Sequence, residues 1–333
     1  MMDISRCLEA KGGELEHLYE EGYSVARRGF SDQIHLYAPG MVHFESSFHV
    51  ARNPLRFPAV SVTGTRCQLQ CEHCRGRLLD EMIPATTPKR LYEVCAEVKA
   101  SGGGGVLISG GSAPDGSVPL DEFLPTISRI KNEIGLEVVV HTGLVHADVA
   151  RALASADIDA AMIDVVGSDE TFRGVYHIDG GLAALEKTLD TFEEAEVGYV
   201  PHVVVGLDNG AIKGEGRAVE LISRHHPAAV VIVALMPLEN TPMEQVTPPT
   251  PEDVSRVILA ARLAMPKTPL LLGCARPKGD AKFMLDKLAV DAGVNGIAYP
   301  SEEGFEHAVG RGLKPQIHDE CCALMYRHIR GAR

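Results

Sequence analysis

From residue 58 onward the chain repeats one theme: a short apolar or β-branched run, a loop, then an amphipathic helical stretch. Eight such runs occur: Ala59–Gly64, Gly105–Ser109, Glu137–His141, Ala160–Val166, Val200–Gly206, Ala229–Leu235, Pro269–Gly273 and Gly293–Tyr299. Between them stand Lys89–Ser101, Asp121–Ile134, Ala147–Ala156, Gly181–Ala195, Glu215–His225, Pro251–Ala264 and Asp280–Ala292. Thr87-Pro88 and Thr250-Pro251 each place a capping Thr before a Pro at the first helical position. Strand–helix alternation of this kind implies parallel strands joined by right-handed crossovers. Eight units predict a complete (β/α)8 TIM-type barrel, which takes roughly 250 residues. An open doubly wound sheet is the alternative, but no dinucleotide fingerprint is present. The run Gly102-Gly103-Gly104-Gly105 precedes its strand instead of following it, so it turns the chain and is no phosphate loop.

The barrel is thus placed at residues 58–300. Residues 1–57 read as a helical and loop extension, with Leu8–Ala26 helical. Residues 301–333 read as a tail with a helix around Glu320–Arg330. Both are expected to pack on the barrel and close one mouth.

A parallel barrel carries its chemistry at the C-terminal ends of its strands. Special residues gather there. Cys67, Cys71 and Cys74 follow the first run, Gly110-Gly111-Ser112 the second, and His141 closes the third. Asp164 lies near the end of the fourth run, Gly206 ends the fifth, and Met236-Pro237 follows the sixth. Cys274-Ala275-Arg276 follows the seventh.

The cysteine triplet, CxxxCxxC, carries the strongest chemical signal. Three thiolates this close in sequence can hold three corners of a cubane iron–sulfur cluster. The fourth iron is then open to a small chelating molecule. Zinc usually asks for a second cysteine pair or paired histidines, and none stands at ribbon spacing. His73, between two of the cysteines, would point elsewhere. A disulfide set is a poor reading of an odd number of cysteines behind an N-terminus with no export signal.

Composition narrows the remaining choices. Of 333 residues, 45% are hydrophobic and 23% charged, an ordinary globular balance. No apolar run approaches a membrane span, so no membrane partner and a cytoplasmic location are expected. The net charge of −13 argues against nucleic acid, which wants a basic face. Tryptophan is absent and aromatics make up 5%, so stacking platforms for single strands are scarce.

The triplet after the first strand resembles the signature of the radical S-adenosylmethionine (SAM) enzymes. That resemblance implies a four-iron four-sulfur cluster on Cys67, Cys71 and Cys74, whose open iron chelates SAM. One-electron reduction then cleaves the sulfonium, and the 5′-deoxyadenosyl radical takes a hydrogen atom from an unactivated carbon. The cofactor carries the hard chemistry and the protein positions and shields it. Gly110-Gly111-Ser112 is similar to the family's Gly-Gly-Glu motif, which binds the methionine amino group, with Ser in place of Glu. His73 stands where the family often has an aromatic residue near adenine. Val203-Val204-Val205-Gly206 is similar to an adenine-contacting motif. Asp164 occupies a place that often binds ribose hydroxyls, and His141 ends a strand facing the cofactor region.

An eight-unit barrel is typical of the biotin synthase and lipoyl synthase branch. Within it, Ile34–Pro39, Phe57–Thr65, Met82–Ala85, Pro201–Leu207, Leu272–Pro277 and Cys321-Cys322 resemble the archaeal-type two-subunit lipoyl synthases. This implies sulfur insertion into C–H bonds of a protein-bound octanoyl chain. Implied partners are an octanoylated lipoyl carrier protein or peptide, a paralogous radical SAM subunit and a reducing electron donor. Sulfur insertion in this branch draws on an auxiliary iron–sulfur cluster. Its ligands are expected among Cys274, Cys321, Cys322 and Cys7, with Arg276 as a neighbour. Cys95, inside a helix, reads as structural. Biotin-synthase-like or methylornithine-synthase-like chemistry on another small substrate is the enzymatic alternative, and a non-catalytic iron–sulfur protein the other.

Overall fold

The computed structural model describes residues 4–40 and 42–330. Residues 1–3, 41 and 331–333, which belong to the two flanking segments, lie outside the described residues. Eleven strands form one sheet: β1 (Gln33–Tyr37), β2 (Ala59–Ser61), β3 (Ile83–Pro84), β4 (Gly105–Ser109), β5 (Glu137–His141), β6 (Ala160–Asp164), β7 (Tyr199–Val205), β8 (Val230–Ala234), β9 (Leu270–Leu272), β10 (Gly296–Ala298) and β11 (Lys314–His318). Every ladder is parallel. The order is β11-β1-β10-β9-β8-β7-β6-β5-β4-β2-β3.

All eight expected runs are strands, and they lie side by side in chain order. The closure differs from expectation. Among the described residues no ladder joins β2 to β10, where an eight-stranded barrel would close. The β10 edge is taken by β1, with Leu36 opposite Ile297, and β11 lies outside β1. The sheet is therefore a curled, eleven-stranded half-barrel. β1 lies in the segment expected to hold only helices and loops. Its Ile34, Leu36 and Tyr37 are fully buried, so its apolar content builds part of the wall.

Both faces of the sheet are covered, which explains why β8 (Val-Val-Ile-Val-Ala) is apolar and buried throughout. On the outer face, helices pack on the sheet and on one another. Helix Pro251–Ala264 is buried over most of its circumference, with Val254, Val257, Ile258 and Ala261 among its buried residues. That helix starts on a complete capping box, with Thr250 and Asp253 bonded reciprocally. The expected single helix at 8–26 is broken at Ala10–Gly12 into Ile4–Glu9 and Gly13–Gly29.

The inner face holds a second core. Val139, Met162, Val200, Val231, Leu271 and Ala298 point inward from six neighbouring strands and pack on Cys321–Met325 of the tail. The tail therefore threads the inside of the curled sheet. It is pinned at the N-terminal ends of β5 and β6, where Arg327 pairs with Glu137 and with buried Asp159. The Tyr326 hydroxyl also donates to the Asp159 carbonyl. No helix among the described residues is long and apolar enough to cross a membrane.

Candidate functional site

The loop after β2 winds into consecutive tight turns. The amides of Cys74 and Arg75 both bond the Cys71 carbonyl, at 3.2 and 2.9 Å, and Arg77 bonds the Cys74 carbonyl at 2.8 Å. Gln70 and Arg75 take left-handed backbone angles, which lets the chain curl within a few residues. Cys71 and Cys74 are buried and Cys67 is half-buried, and the three share one small apolar cluster. The backbone of Gly110-Gly111-Ser112 lies against this loop. The Ser112 carbonyl accepts from Gln68 and Leu69 at 3.0 and 3.2 Å. A Cβ at Gly111 would collide with the Arg66 carbonyl and with Cys67, so only glycine admits this approach.

His73 does not point away, contrary to expectation. Its ring nitrogen and the sulfurs of Cys71 and Cys74 all lie within 4.8 Å of one another. The tight turn swings residue 73 inward, where Tyr176 meets it with ring centres 5.4 Å apart. The Cys74 thiol is pulled down by a hydrogen bond from Cys71, then by His73, against the upward effect of burial. Cys71 moves up in response, through that same bond and its own burial. Cys71 and Cys74 are bonded to each other in this way, and with Cys67 packed beside them they present the soft donors that an iron–sulfur cluster requires. Two buried polar atoms beside them, His73 Nδ1 and the Tyr176 hydroxyl, have no hydrogen-bond partner within the described protein. Buried groups normally find partners, so both are available to a bound molecule.

Next to the triplet, β5 and β6 end in His141 and Asp164, and His202, in the middle of β7, stands opposite Asp164 in the ladder. His141 Nε2 stands 3.5 Å from the Asp164 carboxylate, and the His141 and His202 rings are 6.2 Å apart. Burial would raise the Asp164 carboxyl, but His141, His202 and His73 outweigh it and hold it at about 2. Burial lowers His202 to about 4, partly offset by Asp164. His141 moves up, because Asp164 outweighs its burial. Asp164 is thus an ionised acceptor at the floor of the mouth.

Gly206, with φ +79°, turns the chain after β7, and its amide donates to Glu215 Oε1 at 2.8 Å. The other Glu215 oxygen and the Thr171 hydroxyl are buried without partners. Both face a narrow cleft with Val165, Gly167, Val204 and Leu207. Asp164, Gly206 and the triplet stand at strand ends along one rim, while the cleft beside Glu215 offers only about 10 Å³, the room of one water.

Three more thiols, Cys274, Cys321 and Cys322, lie within electrostatic reach of one another, though their sulfurs do not all come within 4.8 Å of one another. Cys274, just past β9, keeps accessible surface although protein surrounds it; burial pushes its thiol up, with Cys321 adding to the effect. Cys322 moves up through its bond to Cys321, its burial, and the charges of Cys321 and Cys274. Tyr299 feels all three thiols. Cys7 is not brought to this set. It lies in helix Ile4–Glu9, in the outer core between helices and sheet. Cys95 is likewise buried in that core. Arg276 is buried and fully engaged, with Asp286 at 2.9 Å and the carbonyls of Gly273 and Tyr299 at 2.6 and 3.1 Å. It braces the wall behind Cys274 and does not face a ligand. Arg173 is exposed and pairs with Asp179, and His177 pairs with Glu72 at 3.0 Å. Tyr176 and Thr171 have no signal in the sequence, because neither belongs to a spaced motif.

Residues 61–209 match the family model of the radical SAM superfamily. Residues 232–319 match that of the biotin and thiamin synthesis associated domain. A biotin synthase of Ruthia magnifica is 29% identical over 168 residues, 50% of this chain and 51% of that protein. A biotin synthase of Polaromonas naphthalenivorans is 25% identical over 249 residues, 72% of this chain and 70% of that protein. In its first-ranked matches the chain spans about half the length of the curated relatives. In fold it is similar to methylornithine synthase, with a TM-score of 0.65 at 15% identity over 98% of this chain and 95% of the other. It is also similar to the FeFe-hydrogenase maturase of Carboxydothermus hydrogenoformans, with a TM-score of 0.63 at 14% identity over 94% and 75%. A segment similar to the radical SAM superfamily is thus followed along the chain by one similar to the biotin and thiamin synthesis associated domain.

Proposed function

We propose that the chain is a radical SAM enzyme that inserts sulfur into unactivated C–H bonds of a protein-bound octanoyl chain. Cys67, Cys71 and Cys74 would hold the four-iron four-sulfur cluster, which supplies one-electron cleavage of SAM when bound. Gly110–Ser112 offers backbone to the methionine end, and Asp164 accepts from ribose hydroxyls. Gly206, at the end of β7, offers its backbone to the adenine. His73 and Tyr176 close the apolar side of the cluster loop and keep water out.

One observation supports the sulfur-insertion reading: Cys274, Cys321 and Cys322 lie within electrostatic reach of one another, away from the triplet. A sulfur donor needs its own ligands, distinct from the triplet, and soft thiolates suit it. Cys7 is left out of that set. The octanoyl substrate rests on the likeness of Ile34–Pro39, Leu272–Pro277 and Cys321-Cys322 to lipoyl synthases. A paralogous subunit, a lipoyl carrier and a low-potential electron donor belong to the same reading. The biotin synthase relatives favour a second reading, sulfur insertion into a biotin precursor.

The test is anaerobic turnover of reconstituted protein with SAM, dithionite and either an octanoylated peptide or a biotin precursor, read by mass spectrometry. Sulfur gained by the peptide supports the first reading, and sulfur gained by the precursor supports the second. No 5′-deoxyadenosine with either removes the radical enzyme altogether.

A further inference from the structure

Away from both cysteine sets, three histidines from distant parts of the chain converge on the inner face of β1 and β11. They are His35 on β1, His318 at the end of β11, and His328 in the terminal helix. One ring nitrogen from each lies within 4.8 Å of the other two. His318 and His328 stack with ring centres 3.8 Å apart, and His35 stands 5.2 Å from His318. In a nitrogen-ligated zinc site, metal–nitrogen bonds of 2.0–2.1 Å set neighbouring ligand atoms roughly 3.4 Å apart. The rings stand nearly parallel, at 14–29° to one another, so binding an ion also requires them to turn until their in-plane lone pairs meet at one point.

The hydrogen bonds show how each ring is prepared. His35 Nδ1 and His318 Nε2 face each other at 3.0 Å, where only one of the two carries a proton. His328 Nε2 contacts the Glu320 carboxylate at 2.6 Å. A carboxylate accepts, so Nε2 holds the proton and the Nδ1 lone pair is turned inward, where the Tyr37 hydroxyl meets it at 2.8 Å. A carboxylate fixing the far nitrogen of a histidine is the outer shell that orients metal-ligating imidazoles. His35 is 4% exposed, and a neutral imidazole is the form that binds metal.

We propose that His35 Nδ1, His318 Nε2 and His328 Nδ1 bind one divalent first-row cation of the zinc type, with the Tyr37 hydroxyl at the fourth position and Glu320 as outer-shell support. Imidazole nitrogen and phenolic oxygen favour such an ion over the iron–sulfur chemistry of the thiol sets. Bound there, the ion fastens the first strand of the chain to its last strand and to its terminal helix. It locks the segment that carries Cys321 and Cys322 inside the sheet. The site stands whether or not the chain inserts sulfur.

The test uses full-length protein with its iron–sulfur content reconstituted, so that the thiols are occupied. After chelator treatment and desalting, zinc chloride is added, excess is removed, and zinc and iron are counted by plasma mass spectrometry. One zinc per chain is expected, with a nitrogen and oxygen shell by X-ray absorption at the zinc edge. The melting temperature should rise by several degrees with zinc. His318→Ala should lose the zinc and its thermal gain while keeping the iron count. Should that variant fail to fold, His35→Gln provides the same comparison, and Glu320→Gln should weaken zinc binding about 10–100-fold. No retained zinc, zinc ligated by sulfur, or histidine variants that bind as the wild type does would each overturn the site.

Discussion

The two thiol sets are built in opposite ways. Cys67, Cys71 and Cys74 come from one loop whose turns are closed by its own backbone hydrogen bonds. Cys274, Cys321 and Cys322 are gathered only because the tail threads the inside of the sheet, anchored by Arg327 on Asp159 and by Tyr326. The first set depends on local geometry and the second on the global fold. The first should therefore survive damage to the tail, while the second should not.

The largest effect is expected at the first set. Cys71→Ala removes one of three thiolates, and three are the fewest that hold a cubane with one open iron. Iron and sulfide should fall to what the second set holds, and 5′-deoxyadenosine formation should drop to background. A variant that still cleaves SAM would mean that the triplet is not the radical site. The next effect is selective. Cys274→Ala or Cys321→Ala should lower iron per chain and abolish sulfur transfer, while 5′-deoxyadenosine still forms. If the iron count does not change, the lumen thiols hold nothing, and the comparison between the sets collapses.

This contrast also explains what could be read from the chain beforehand. The eight strands were legible because each is a short β-branched run bounded by turn residues, as in Val230–Ala234. The triplet, Gly111 and Asp164 were legible because each sits at a fixed step from a strand end. β1 was not, since Gln33–Tyr37 mixes polar and apolar residues and its partner strands lie more than 250 residues further along. Cys7 was misplaced for the related reason that composition cannot say on which side of a sheet a helix docks. Arg276 sat at the right rim in sequence, but its guanidinium turns back into the wall. Tyr176, Thr171 and the three histidines become neighbours only in the folded chain.

Arg276 gives the third test, a stability effect. Its pair with Asp286 is almost wholly buried, with side chains 1% and 0% exposed. Asp286→Ala would strand a buried guanidinium and also remove an acceptor for the Ser301 amide. Breaking a buried pair on one side costs about 3–5 kcal/mol, to be measured by urea unfolding. Because the pair braces the wall behind Cys274, iron at the second set should weaken while SAM cleavage persists. A loss below about 1 kcal/mol would show the pair to be solvated, against the usual cost of an unpaired buried charge.

The smallest effect concerns acid, and it probes the floor beside the triplet. Burial holds His202 at about 4, below its ordinary 6.5. Above pH 6.5 neither the folded nor the unfolded state protonates this residue, so it exerts no pull on folding. Between about pH 6.5 and 4 the unfolded chain takes up a proton that the folded chain refuses, and stability falls as pH drops. The slope approaches 1.4 kcal/mol per pH unit for one histidine. Asp164, held at about 2 instead of its ordinary 3.8, stays ionised through this window; the stability it confers is lost as pH falls from about 3.8 to about 2. His202→Gln removes the histidine's proton uptake and leaves Asp164 beside His141. Between pH 7 and 5 the wild type should lose about 2 kcal/mol more than this variant in urea unfolding. Equal losses would place His202 in water and leave the floor of the mouth wet, which would undercut the exclusion of solvent that radical chemistry at the triplet requires.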